Sequence, residues 1–574
     1  MAQFKAKLTQ QSFPFNFTEL AGTVLVSSAL EQNLQAAGSD ALQEIPQAYF
    51  MQNVLPTQRG FISIHYTRVI AEHTYPRYLD KIFTLYDIDG NIAIYSTAYG
   101  QRYVYAKDVG AWVAFPLPPE ESVGETSVAY LKGTTYILIA GVGLFKYNFG
   151  SNTFDELTTI AVTAAATNGV VAASQYLLLW DANTVYWSSP LNPLDFTPVL
   201  GAGGSTSILS NRSRILLCLP VADGFIAYTT RSAIHAAYTG NPNFPFTFKE
   251  IAGSAGVAES EHVAYDAPND RHIAWTTSGF QLVTQKGASP VWPELSDSIA
   301  HGLYSSAGNT GYPSIVKSAN LLCKVSNIGA RFIAVSIKRN SAQISYNHAY
   351  IYDIALDRWG RLDIPHIDFF EYRAPEFVAS YTYAQLVGSY DSLGTLAYEQ
   401  LIETLTTMTP QFGFTLGCVG ANGAIHIALP STIADIDSLI SPTSGAKEPS
   451  IFFGRYRLQR QAAVQFQQMQ LSNAVQSGFN VRVIAHDAAG NKSNTVTPVA
   501  SVRQPNSYTA RATGAHVSLQ VSGKFNLTSL EAEITSAGGQ MLPVKATAIG
   551  LGLYNVVVNT VPVVIGGEYV EVTP

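Results

Sequence analysis

The chain has 574 residues, a formal net charge of −7, 47% apolar residues and 13% charged residues. That length exceeds a single small core and suits two or three domains. The negative charge, with no basic run, argues against a nucleic-acid-binding surface, though an acidic channel through which DNA slides without sticking stays compatible with it. Charged residues usually make up roughly 25% of a soluble chain. Two explanations for the low share stay open: subunit contacts that cover much of the surface, or a polar, Gln/Asn/Ser/Thr-rich β surface on a monomer. Cys218, Cys323 and Cys418 stand too far apart for a local metal motif, and an odd count is no disulfide framework. They are expected as buried thiols. No secretory leader is read at the N-terminus, and no run approaches the ~18 apolar residues of a membrane span, so synthesis in the cytosol is expected.

In chain order, 1–60 differ from the rest. Ser27–Ala37 (SSALEQNLQAA) predicts a short helix with a Ser start. Ala41–Val54 is expected to be helical in part, broken by Pro46. The segment reads as an exposed arm, a docking bundle or a cap.

From Gly60 the pattern turns to strands. FISIHYTRVIAEHTY alternates apolar and polar residues, and IFTLYDIDGNIAIYSTA predicts a hairpin at Asp89-Gly90. QRYVYAKDVGAWVAF follows, and then three strands turn at Lys132-Gly133 and Gly150-Ser151. The densest stretch, 176–250, holds an apolar run, a Tyr-Trp strand, an Asn-Pro/Asp-Phe loop, three more strands and a second Asn-Pro loop. Short strands at near-regular spacing between turn signals indicate antiparallel sheet units. Further units carry turns at Pro268-Asn269-Asp270 and Ser278-Gly279, and YIYDIALDRWGRL adds a strand, a tight turn and a Trp. Units of roughly 40–50 residues predict a β-propeller. The fold class is therefore all-β: a propeller of about six or seven irregular blades, with an N-terminal arm and a C-terminal β-sandwich. The boundaries are 1–60 for the arm or docking segment, 61–445 for the propeller and 446–574 for the sandwich. Residues 430–450 read as a linker. Beyond them, short strands with turns at Ala489-Gly490-Asn491 and Ser522-Gly523 suggest two packed antiparallel sheets.

The sequence assigns no catalytic, cofactor-binding or metal-ligating residue. Gly141-Val142-Gly143 follows a strand, but Leu144-Phe145-Lys146-Tyr147 continues as a strand, so the helix terminus that cradles a phosphate is missing. Asp87–Asn91 approaches a calcium loop, yet Leu85 and Ser96 fall where acids are needed. The histidines show no zinc spacing, and His65, His262 and His272 read as hydrogen-bonded strand residues. Ser389–Gly394 approaches a sialidase-type turn with one residue too many. Trp180, Trp187, Trp275 and Trp359 suit packing between blades better than a sugar platform.

VYWSSPLNPLDF, GFIAYTTRSAIHAAYTG and FPFTFKEIAGSAGV together resemble the central region of tail nozzle or tail-hub propeller proteins of short-tailed phages. The matching positions are Ser189-Pro190, Asn192–Phe196, Arg231–Ile234, Phe244–Ile251 and Gly256-Val257, with SGFQLVT, YIYDIALDRWGRL, Arg511–Gly514 and Phe525–Leu530 in the same style. The resemblance covers about 180–535. It implies a non-enzymatic virion protein that forms a ring, usually a hexamer, below the portal and adaptor. Its expected partners are further copies of itself, tail adaptor or portal-proximal proteins, and tail fibre or receptor-binding proteins. DNA would pass through the bore without specific binding. Two other readings fit a propeller with a sandwich: a module that binds host glycan or a fibre, and a polysaccharide hydrolase.

Overall fold

The computed structural model describes 48–57, 61–71, 81–88, parts of 92–114, 125–292 with short breaks, 323–338, 345–372, parts of 415–430 and 448–500, and 507–536, with a few isolated strands towards both ends. The chain is all-β. Among the described residues, seven four-stranded antiparallel meanders stand side by side. Blades 1 to 6 occupy 81–114, 126–156, 169–207, 215–250, 263–290 and 323–362. Blade 7 is composite. Three of its strands are Asp368–Tyr372, Thr415–Val419 and Ile425–Pro430, and its outer strand is Phe61–Ala71, from ahead of blade 1. The strand read from FISIHYTRVIA thus closes the ring. Tyr86 at the end of blade 1's inner strand donates its hydroxyl to Glu371 of blade 7's inner strand at 3.0 Å.

Apolar runs form these strands because the middle of each blade is covered on both sides. Gly224–Thr229, Phe332–Ile337 and His348–Asp353 are buried at every position. This is the pattern of a sheet packed on both faces, not of a half-exposed one. Successive blades share cores. Trp180 and Trp187 of blade 3 meet Phe225 and Phe246 of blade 4. Trp275 and Phe280 of blade 5 meet Tyr352 and Trp359 of blade 6. Each such side chain contributes about 1.5–3 kcal/mol by burial.

A recurrent device closes the turn after the second strand. Asp181 Oδ1 accepts from the Asn183 and Thr184 amides, Thr229 Oγ1 from those of Arg231 and Ser232, and Thr276 Oγ1 from that of Ser278. At Gly256 an added Cβ would overlap the Thr230 carbonyl, so the close approach of blades 4 and 5 requires glycine there.

The C-terminal sheets form the sandwich. One holds Ser450–Arg457, His516–Gly523, Phe479–His486 and Lys492–Val496. The other holds Asn526–Ser536, Val464–Asn473, Ser507–Gly514 and Val499–Ala500. Ile451, Val483, Leu519, Val521 and Phe525 are buried in this region. Where part-helical structure was expected over 41–54, the described residues form the strands Leu42–Glu44, Ala48–Gln52 and Val54–Pro56. Val54–Pro56 pairs with the nearby Phe61–Ala71, but the partners of the other two are distant in sequence, which local propensity does not register. Ala48–Gln52 pairs with Ser450–Arg457, and Phe4–Lys7 pairs with Asn526–Ser536. The segment 1–60, expected as an arm, a docking bundle or a cap, lends these two strands to the sandwich sheets. The helix expected over 27–37 lies outside the described residues.

The joint between propeller and sandwich is hydrogen-bonded. Ser63 donates its amide to the Phe525 carbonyl, and its hydroxyl oxygen accepts from the Phe525 amide at 2.8 Å. Asn53, at φ 54°, accepts the Asp363 amide at 2.8 Å. Asp363 in turn takes a two-pronged contact from the buried guanidinium of Arg361 at 2.9 and 3.1 Å. Burial opposes the Asp363 charge, but Arg361 outweighs it and holds the carboxyl down at about 2.

Candidate functional site

Two regions present chemistry: the central channel and the face that carries the turns after each blade's first and third strands. The channel encloses about 530 Å³ and is walled by the inner strands of all seven blades. Most of the wall is apolar, for example Ile82, Val128, Val170 and Phe369. Its charged group spans three blades. Lys324 Nζ donates to Asp368 Oδ2 at 2.8 Å and lies 3.7 Å from Glu261 Oε1. Ser326 donates to the other Asp368 oxygen at 2.8 Å, as does the Phe369 amide. Burial disfavours the Lys324 ammonium, yet Asp368 and Glu261 more than offset this and hold it above its ordinary value. The amine is therefore a fixed cation and not a nucleophile. Cys218 also lines the channel, but burial pushes its thiol well up, away from the reactive thiolate. This arrangement links blades 5, 6 and 7.

The sequence motifs fall as follows. Gly141-Val142 is the turn of a hairpin, with the Val142 amide on the Ile139 carbonyl, and Gly143 opens the next strand. Tyr86 pairs with Ile92 across the Asp87–Asn91 hairpin. His272 is buried between the Tyr228 hydroxyl at 2.8 Å and the Pro220 carbonyl at 2.9 Å, and burial lowers it to about 4. His262 is buried, and the His65 side chain and Ser389–Gly394 lie outside the described residues. Trp180, Trp187, Trp275 and Trp359 are all buried between blades, as are the three free cysteines within the fold. Among the described residues no cluster of three or more His, Cys, Asp or Glu could hold a metal, and no helix is long and apolar enough to cross a membrane.

No family model and no curated protein matches the chain. Among solved structures, it is similar to the extracellular domain of the putative one-component system BT4673 from B. thetaiotaomicron, at 11% identity and a TM-score of 0.34. The match covers 77% of this chain and 49% of that one, so the chain spans about half the length of that protein.

The second region is the loop face. In a meander the turns after strands one and three emerge on the same side, and cross-blade bonds confirm it here. Lys132 in blade 2's first turn donates to the Pro190 carbonyl in blade 3's last loop at 2.6 Å, and the Ala222 amide of blade 4 donates to Asp270 of blade 5 at 2.7 Å. Ile88, Tyr130, Leu191, Val199 and Phe244 all project from this face, 44–91% exposed. The sequence reads Asn192–Phe196 and Asn241-Pro242 as loops, but nothing in it singles out the exposed Leu191 and Phe244. The Asn-Pro turns were the available signal. Lys324, Glu261 and Asp368 were missed because they come together from three separate blades.

Proposed function

We propose that the chain is a structural virion protein, a tail nozzle or tail-hub subunit that forms a ring and conducts DNA during ejection. The observation that carries this reading is the loop face: several large apolar side chains held exposed on one side of an interlocked seven-bladed block. Exposed apolar patches mark interaction sites, and a rigid block with a directional face suits ring assembly through heterologous contacts that close on rotation. The channel of a single propeller encloses only about 530 Å³, too little for a duplex, so DNA would pass through the bore of the ring and not through a propeller axis. An acidic bore would repel phosphate and avoid the salt-sensitive binding that stalls passage. Virion neighbours at the adaptor and fibre ends follow from the same reading. The burial of Trp180, Trp187, Trp275 and Trp359 removes those four as a sugar platform for the glycan-binding alternative. Sedimentation of the full chain over a concentration series tests the reading. A defined oligomer is expected. A monomer at the highest concentration, unchanged by added adaptor and fibre proteins, would count against it.

A further inference from the structure

The loop face has a counterpart elsewhere on the chain. Two of its loops, on adjacent blades, share one geometry. In blade 3, Asn192 Oδ1 accepts the Leu194 amide at 3.1 Å and its carbonyl accepts the Asp195 amide at 3.1 Å. In blade 4, Asn241 Oδ1 accepts the Asn243 amide at 3.0 Å and its carbonyl accepts the Phe244 amide at 3.1 Å. Each Asn-Pro turn is thereby fixed, and each displays an apolar side chain: Leu191 at 91% exposed and Phe244 at 69%. Rigid display lowers the entropy lost on binding. Beside them Asp195 is half-buried, and bonds from Thr197 hold its carboxyl below the usual range.

Among the described residues, the other large apolar side chain left exposed is Val499, at 70%. It lies on the short strand Val499–Ala500 at the edge of the sandwich, and among the described residues that strand pairs only with Ser507–Gly514. An open edge invites contact with another chain. Val499 stands opposite Thr509, two residues from the exposed Arg511. The charge distribution is complementary as well. Residues 61–445 hold 31 acidic and 21 basic side chains, net −10, whereas 446–574 hold six acidic and ten basic, net +4.

We infer that the occupant of the Leu191/Phe244 face is a second copy of this chain, docked through the sandwich edge that carries Val499 and Arg511. The contact joins two different patches, so it is heterologous and propagates from subunit to subunit. The acidic propeller faces the basic sandwich of its neighbour, with Asp195 and Arg511 flanking the apolar centre. Opposite fields speed encounter and set the register. This inference rests on the ring reading and names the surface that builds the ring.

Cysteine cross-linking tests it, because the three native thiols are buried. Full-length Leu191→Cys and Val499→Cys chains are prepared separately and mixed with a short bis-maleimide. A covalent dimer is expected from the mixture and not from either variant alone. A chain carrying both substitutions should give a ladder of oligomers. Phe244→Asp, on an exposed side chain, should keep the wild-type unfolding midpoint while weakening self-association by about thirtyfold or more. Defined wild-type oligomers with no cross-link, and with Phe244→Asp assembling normally, would overturn this interface and leave the ring reading standing. A wild-type chain that stays monomeric at every concentration, with or without its virion neighbours, would overturn both.

Discussion

Replacing Lys324 with Met tests whether the channel charges act as a lock between blades. Lys324 and Asp368 are each 7% exposed and 2.8 Å apart. Without the ammonium, Asp368 keeps the Ser326 hydroxyl and the Phe369 amide but loses its counter-charge. Breaking one side of a buried pair costs about 3–5 kcal/mol. The two remaining donors place this case near the lower end, about 3 kcal/mol, or more than about a hundredfold in the folded-to-unfolded ratio. Lys324→Met with Asp368→Leu removes both charges and should recover most of that loss, because an apolar pair of similar volume is often neutral or better. Glu261→Gln should cost less than about 1 kcal/mol, since Glu261 is 31% exposed and 3.7 Å away. Urea unfolding of the four proteins measures this. The amine's pKa is raised in the fold, so its stabilisation is present at neutral pH and is lost only as pH rises through that raised value. The gap between wild type and Lys324→Met should therefore stay flat from about pH 6 to 9. A neutral Lys324→Met, or a double variant no more stable than Lys324→Met alone, would refute the lock.

Other parts of the fold give sharper single outcomes. His272 is held neutral with a pKa of about 4, below its unfolded value, so its stabilisation is present above about pH 6.5 and is lost as pH falls towards 4. A unfolding midpoint that drops over that window, and drops less in His272→Asn, is the expected result in urea titrations. Gly256→Ala forces a methyl onto the Thr230 carbonyl and should destabilise by about 1–3 kcal/mol, read from the thermal midpoint. Asn53→Ala removes the acceptor for the Asp363 amide and places alanine at φ 54°. It should cost about 2–3 kcal/mol and speed hydrogen exchange in 53–64 and 525–527.

Much of the propeller is legible in the sequence because its information is local. Tyr176–Trp180 reads as a strand from its apolar run, and Tyr86 to Ile92 reads as a hairpin from Asp89-Gly90. What is not legible is distant pairing. Phe61–Ala71 announces a strand, but that it completes blade 7 beside Ile425–Pro430 depends on a partner some 360 residues later. Leu42–Glu44 and Ala48–Gln52 look partly helical because their order comes from the sandwich sheets and not from their own alternation. The blade repeat is equally hidden. Its common feature is a turn-capping oxygen after the second strand, supplied by Asp181, Thr229 or Thr276, so the function recurs while the residue type changes. For the candidate surface, the Asn-Pro turns were readable, but the exposure of Leu191 and Phe244 follows only from the way adjacent blades stack.

The measurement that bears most directly on the central claim is imaging of the purified full chain by negative stain, taken from a single peak of defined native mass. The account predicts closed rings of several copies with a central opening, each subunit's sandwich lying against the next subunit's propeller. Isolated monomers in every field at high concentration, or two-fold dimers with no opening, would contradict it.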